Sequence, residues 1–228
     1  MTTSPDLARL AALLTEPARA AMLMHLLDGR SWTAKELAKV AAVKPPTASV
    51  HLKKLVDAAL ILVTPTGRHR YFRLASDDIA HMIEQLARFA PMVPAIAPAA
   101  QRIEARLRHC RLCYNHLAGQ VGVALTQQMV AKSWLHEAEP WYRLTDRGLQ
   151  ALSSIGISNA DGRTCMDWSE RRLHLAGALG SQLLQALLTK RWLQRDSRDR
   201  SLRVTPQGVE SFKATFGVDI SALSTIRK

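Results

Sequence analysis

The chain has 228 residues, 47% of them apolar and 22% charged, and it carries a net charge of +12. That is material for one or two globular domains with a sizeable core, and the positive balance asks for an anionic partner, nucleic acid or a membrane surface. Aromatic residues, at 5%, are too few for a platform that stacks single strands, and three cysteines, an odd number, argue against the disulfide framework of a secreted protein.

The N-terminal stretch Met1 to Asp6 lacks the basic-then-apolar order of a secretory leader. The apolar stretch 89–100 is short and broken by Pro91, Pro94 and Pro98, so no membrane span and a cytoplasmic location are expected. Ser4-Pro5 suggests the cap of a first helix running to about Leu14. Thr15-Glu16-Pro17 starts a second, with Ala21, Leu23, Met24 and Leu27 inward and Gly29 as its stop. Thr33 and Glu36 have the spacing of a capping box, and Lys44-Pro45-Pro46 ends that short helix and begins another. In the latter, Ala48, Leu52, Leu55 and Ala59 share one stripe, while Thr47, Ser49, Val50, Lys53 and Lys54 make a small, polar and basic opposite side. Two helices joined in this way read as helix-turn-helix. The β-rich runs 60–63 and 70–74 flank the turn signal Thr64-Pro65-Thr66-Gly67, giving a hairpin with a basic tip, Arg68-His69-Arg70. Residues 37–76 carry a net +6, the charge footprint of a duplex-DNA reader.

This stretch resembles the ArsR/SmtB family of bacterial winged-helix repressors, whose recognition segment often runs Thr-x-Ser-x-His-Leu-x-x-Leu. Thr47, Ser49, His51, Leu52 and Leu55 fit that pattern, and Tyr71-Phe72-Arg73-Leu74 follows the basic wing as in the family. The resemblance covers about the first 90 residues. Where many members have two adjacent histidines, this chain has Val50-His51. The resemblance implies a homodimer on a palindromic operator in double-stranded DNA. Thr47, Ser49, Val50 and His51 would face base edges, and Lys44, Lys53, Lys54, Arg68 and Arg70, with His69 at the wing tip, would face the backbone. His51 also suits a half-buried packing role. The family's usual metal motifs are not reproduced: the helix from Thr33 has no Cys-x-Cys, and Asp77, Asp78, His81 and Glu84 do not follow the zinc-sensing pattern.

Ser76 is expected to cap a helix carrying Ile79, Met82, Ile83, Leu86 and Phe89, the element that pairs with its twin in the resembled family. A Pro/Ala-rich link at 91–100 then separates a DNA-binding and dimerisation domain, 1–90, from a C-terminal module, 101–228. That module repeats itself. His116-Leu117-Ala118-Gly119 recurs as His174-Leu175-Ala176-Gly177, Trp134-Leu135 as Trp192-Leu193, and Thr145-x-x-Gly148 as Thr205-x-x-Gly208. The copies, about 113–157 and 171–217, each read as helix, strand, turn, strand, helix, a partial winged-helix-like unit without a convincing recognition helix. The expected fold class is therefore mainly α with small β-hairpin wings (α+β): an N-terminal winged helix-turn-helix and a C-terminal pseudo-repeat.

Arg102, Arg106, Arg108 and Arg111 are expected along a helix entering the module, as a solvated face or as extra phosphate contacts. Cys113-x-x-His116 is expected on one helix face, and Cys165 precedes His174 in the second copy. If the copies pack about a pseudo-two-fold, two thiolates and two imidazoles give a tetrahedral site for a soft divalent metal of the zinc or cadmium type, with Cys110 and His109 as substitutes. Thiol redox sensing, plain packing and a small-molecule pocket among Trp134, Trp141, Tyr142, Trp168 and Trp192 remain open alternatives. No nucleophile elbow, phosphate loop or zinc-protease motif points to an enzyme. The expected function is an effector-responsive transcriptional repressor released by a metal or small molecule. The alternative is a metal- or thiol-handling protein whose basic head binds DNA without sequence preference.

Overall fold

The computed structural model describes residues 4–91, 105–158, 160–196 and 199–223. They form two compact units, one from residues up to 84 and one from residues 85–90 with 105–223. Apart from Pro91, the expected link at 91–100 lies outside the described residues, as does Arg102. No helix among the described residues is long and apolar enough to cross a membrane.

In the first unit, α1 (Leu7–Leu14) is capped by Asp6, whose carboxylate accepts from the Arg9 amide at 2.9 Å. Ser4, the expected cap, lies two residues too far back to reach that amide. Helix α2 (Pro17–Leu26) has Pro17 in its first turn, and Gly29 at φ 81 follows its end. Met22, Leu23, Leu26 and Leu27 are buried, with Ala21 and Met24 on the flank. The largely buried Arg19 donates from Nε to the Leu13 carbonyl and from a terminal nitrogen to the Ala12 carbonyl, each at 2.8 Å. It thus occupies carbonyls that the end of α1 leaves without helical partners.

Strand β1 (Trp32–Thr33) leads into α3 (Ala34–Val40). The Thr33–Glu36 capping box is formed in both directions, amide to hydroxyl at 3.3 Å and amide to carboxylate at 2.8 Å. Pro45 and Pro46 open α4 (Pro45–Asp57), which buries Ala48, Leu52 and Leu55. Ala59 does not extend that stripe: it follows the C-cap, is exposed, and sits at φ 56, where the chain turns out of the helix. Strands β2 (Ile61–Thr66) and β3 (His69–Leu74) pair from Ile61↔Leu74 to Thr66↔His69. The hairpin loop is therefore only Gly67-Arg68, shorter than the expected four-residue turn. Gly67 at φ 58 supplies the positive dihedral that a two-residue loop requires. Pro65 is accommodated within β2 because the sheet order β1-β3-β2 leaves that strand at an edge, where a missing amide is tolerated. Helix α5 (Asp77–Ala87) starts with the Ile79 amide donating to Ser76 Oγ at 3.3 Å. It buries Ala80 and Ile83; Leu86 and, just past its end, Phe89 fall in the stretch 85–90 that groups with the second unit, and are 48% and 82% exposed.

The second unit is built twice over. The first copy runs β4 (Arg111–Cys113), β5 (His116–Ala118), α6 (Gly119–Ala131), β6 (Leu135–Ala138), β7 (Trp141–Leu144) and α7 (Asp146–Ser153). The second runs β8 (Gly162–Met166), β9 (Leu173–Ala176), α8 (Gly177–Thr189), β10 (Leu193–Arg195), β11 (Leu202–Val204) and α9 (Pro206–Phe216), followed by α10 (Ile220–Leu223). The expected order of helix, strand, turn, strand, helix is present in each copy, but a hairpin precedes it, at residues where the sequence suggests that the helix has already begun. Strands of three residues carry too little alternation to announce themselves. Gly119 and Gly177, at φ 80 and 73, turn each hairpin into its helix. Thr145 and Thr205 cap α7 and α9 through the amides of Gly148 and Gly208, and each donates its hydroxyl to the carbonyls of the preceding Ser133-Trp134 or Arg191-Trp192.

The copies interlock by exchange. Helix α6 packs on β9 and α8 on β5. The first copy's β7 pairs with the second copy's β8. Reciprocally, β4 meets the second copy's last hairpin, with Leu112 N donating to Arg200 O and Leu202 N to Cys110 O, both at 2.9 Å. One core runs through both, from Val121, Leu125 and Met129 to Leu179, Leu183 and Leu187.

Candidate functional site

On α4, successive residues turn by about 100°. Taking Ala48, Leu52 and Leu55 as the buried centre, Val50 lies about 160° round and Lys53 about 140°. Thr47, Ser49, Val50, Lys53 and Lys54 are all exposed, as is Lys44 at the cap, and Val50 is 56% exposed despite being apolar. Ser49 Oγ donates to the Pro45 carbonyl at 3.0 Å, leaving its lone pairs outward. Lys53 is paired with Asp57 at 2.7 Å, so its charge is partly cancelled on the helix itself. His51, only about 60° from the buried centre, is half-buried, and its Nδ1 lies 3.3 Å from a terminal nitrogen of Arg19. With Arg19 as the donor, Nδ1 accepts and Nε2 carries the hydrogen. The packing role open to His51 is therefore realised. At the hairpin tip Arg68, His69 and Arg70 are all exposed.

In the second unit, Cys113 and His116 are directly opposite across β4–β5, and Cys165 and His174 are directly opposite across β8–β9. The expected shared helix face is replaced by two equivalent cross-strand pairs. The first hairpin closes in two residues, 114–115, and the second in six, 167–172, so unequal spacing in sequence becomes equal register in space. The pairs converge: one ligand atom from each of the four side chains lies within 4.8 Å of the others. His116 Nε2 and His174 Nε2 are 3.1 Å apart, with the rings stacked at a 5.1 Å centroid distance. Cys113, His116 and His174 are buried, Cys165 is half-buried, and no disulfide joins the cysteines. Tetrahedral zinc with two imidazoles at 2.0–2.1 Å places their nitrogens roughly 3.3 Å apart. Two soft sulfur and two imidazole donors on that scale fit a d¹⁰ divalent ion.

The proposed substitutes do not join the cluster. Cys110 lies in the hydrophobic core, where burial pushes its thiol up to about 12, so it stays protonated and is a poor ligand. His109 Nδ1 faces Gln120 Oε1 at 3.3 Å. Two of the tryptophans pack in the core, Trp134 against Phe216 and Trp192 against Phe212, while Trp141 is exposed with the Arg163 guanidinium over its ring. A shallow cleft of about 550 Å³ is lined by Tyr142, Met166, Arg171 and Leu173, among others, and by none of the tryptophans.

A family model described as a helix-turn-helix domain matches residues 14–64. The uncharacterized HTH-type transcriptional regulator YdfF of Bacillus subtilis (strain 168) is 40% identical over 225 residues, spanning 95% of this chain and 100% of the relative. The chain belongs to the HTH-type transcriptional regulators. It is also similar to the solved cadmium metal-sensor CMTR of Mycobacterium tuberculosis, at 30% identity over 41% of this chain and 95% of that one with a TM-score of 0.33. The winged helix-turn-helix domain of Mb0332 from Mycobacterium bovis, a possible ArsR-family regulator, gives 23% identity over 38% and 86%, with a TM-score of 0.33.

The regulator has one group at the Cys/His cluster that its sequence did not announce. Asp167, fully buried, accepts at Oδ2 from Arg111 at 3.0 Å and the Gly119 amide at 2.7 Å, and at Oδ1 from Ser169 and the Glu170 amide. Burial opposes its ionisation, but the Arg111 guanidinium and these donors hold the carboxyl well below the usual range. Asp167 Oδ2 lies 4.0 Å from His174 Nδ1 and favours a hydrogen on that nitrogen, which leaves the Nε2 lone pair for the cluster. Arg111, expected on a solvated helix face, is instead 1% exposed as the partner of this carboxylate. The one available signal was Asp167-Trp168-Ser169, an Asx-turn pattern in a loop with no counterpart in the first copy.

Proposed function

We propose that this regulator is a homodimeric repressor of ArsR type. Its first 90 or so residues read a palindromic operator, and its C-terminal module, 101–228, releases it when a soft divalent metal binds. Thr47, Ser49 and Val50 face base edges, with His51 at the margin. Lys44, Lys54, Arg68, His69 and Arg70 face phosphates, Lys53 contributing less because of Asp57. The metal ligands are Cys113, His116, Cys165 and His174, and zinc or cadmium suits two thiolates and two imidazoles. The observation that carries the metal-responsive part is the convergence of those four ligand atoms within 4.8 Å from two separate hairpins. Dimer formation is supported by two exposed apolar side chains, Leu86 on α5 and Phe89 just past its end, and by the need for two small heads to specify enough base pairs. A cytoplasmic site of action follows from this reading. Release requires the metal to favour a non-binding geometry by about 1–3 kcal/mol or more.

The test is binding of the purified reduced protein to its own promoter against random duplex. The expected preference is at least about a thousandfold. Equal affinity for all duplexes with a steep salt slope contradicts the repressor reading and leaves a non-specific DNA binder.

A further inference from the structure

We propose that the same cluster is a redox switch, in which a peroxide joins Cys165 and Cys113 in a disulfide and expels the metal. This rests on the cluster as the metal site of the proposed function, and adds a second input to it. Three features support the chemistry. The two sulfurs lie within 4.8 Å yet belong to different copies of the repeat, β4 and β8, so a bond between them would tie the copies together. Access is unequal: Cys165 is half-buried and open to a small oxidant, whereas Cys113 is 3% exposed and placed to attack from inside. The third cysteine does not compete, because Cys110 is wholly buried among apolar side chains that keep its thiol protonated.

The Cys165 thiolate attacks one peroxide oxygen. The O–O bond breaks, the alcohol (water, for hydrogen peroxide) leaves with a proton from solvent, and Cys165 becomes a sulfenic acid. The Cys113 thiolate then attacks Cys165 Sγ, forming the S–S bond and expelling hydroxide, which takes a proton to become water. Two thiols and one peroxide thus give one disulfide, one alcohol and one water. With both thiolates consumed, His116 and His174 alone cannot retain a zinc ion.

The experiment uses the full chain, reduced and loaded with one equivalent of zinc, then treated with hydrogen peroxide. Free zinc is followed with a chromogenic chelator, and thiols by non-reducing tryptic mapping. Cleavage after Arg108, Arg111, Arg163 and Arg171 puts the three cysteines on separate peptides. The expected result is a linked pair of peptides, 112–132 with 164–171, lighter by two hydrogens than the reduced pair, one zinc released per chain, and Cys110 still alkylatable after denaturation. Stable one-to-one zinc binding with Cys113 and Cys165 left unlinked, or with Cys165 oxidised alone, overturns the switch while leaving the metal site standing. A linked pair in a protein that takes up no zinc supports the switch and removes the metal reading.

Discussion

Helix α4 of the first unit and helix α6 of the second are each 13 residues long, and each ends in a non-glycine residue in the left-handed region, Ala59 at φ 56 and Ser133 at φ 57. Each is closed by the same amide five residues on, Leu60 to Leu55 and Trp134 to Met129, and each runs directly into a hairpin. What differs is the cover. Around α4 the side opposite the core is open and carries Val50, Lys53 and Lys54. Around α6, Gln127 and the terminal Ala131 are the exposed positions, and the rest packs on β5 and β6 of its own copy and on β9, α9 and α10 of the second. One backbone motif therefore serves two ends: with a polar, basic outer face it can enter a groove of DNA, and with an uncharged outer face narrowed to a glutamine strip, Gln120, Gln127 and Gln128, it becomes the core of a module that presents hairpins instead. The motif identifies the architecture, while the outer face decides the function.

The basic side of the first unit should be the most sensitive to substitution. Replacing Lys53, Lys54, Arg68 and Arg70 together with alanine should weaken promoter binding by at least about a thousandfold and flatten the salt slope, since each dimer loses several phosphate contacts. Fluorescence anisotropy across a salt series checks this, with circular dichroism unchanged. On the other side, Cys113→Ser with Cys165→Ser should lower zinc affinity by at least about a hundredfold while leaving metal-free promoter binding intact. A calorimetric titration that finds full affinity in this variant removes the cluster from the account.

The units should also part under acid. Burial, and the charge of Arg30 beside it, lowers His25 in the first unit to about 4 from an ordinary 6.5. The unfolded chain therefore binds a proton there that the folded chain does not, and stability falls as pH drops from about 6.5 toward 4, by about 2–3 kcal/mol. Asp167 in the second unit is shifted to the acid side of the usual carboxylate range, so its contribution persists through that window. Hydrogen exchange resolved by peptide at pH 7 and pH 4.5 should show the first unit opening before the second. Adding one methyl at Gly148 should cost about 2 kcal/mol, because its Cβ would meet the Trp134 carbonyl at 2.1 Å. Gly148→Ala should accordingly lower the melting temperature with the promoter still bound at 20 °C. The smallest effect belongs to the capping box: Thr33→Ala should cost about 1 kcal/mol, read as a shift in the urea midpoint.

The first unit was readable because its signals are local. Thr33 and Glu36, the twin prolines and the Ala48–Leu52–Leu55 stripe each act within one or two turns of chain. The half-burial of His51 was in principle available from the same wheel, since a residue three after Ala48 and one before Leu52 falls on the flank of the stripe. The second unit hid its geometry. The chemistry of Cys113, His116, Cys165 and His174 was visible in composition and recurrence. Their strand placement was not, because the strands are too short to show a period and the six-residue loop 167–172 breaks the matching of the spacing. Asp167 and Arg111 were invisible for another reason: a carboxylate and a guanidinium 56 positions apart in sequence carry no local sign that they meet in a core.

In the proposed function, metal held by the two hairpins of the second unit controls the grip of α4 and the wing on DNA. This control is tested most directly by anisotropy of a labelled promoter duplex with the reduced full chain, titrated with zinc and with cadmium in parallel with the Cys113→Ser, Cys165→Ser variant. The expected result is a loss of affinity of at least about tenfold, complete near one equivalent of metal per chain, and no response in the variant. Promoter affinity that stays constant while the metal is demonstrably bound would contradict it.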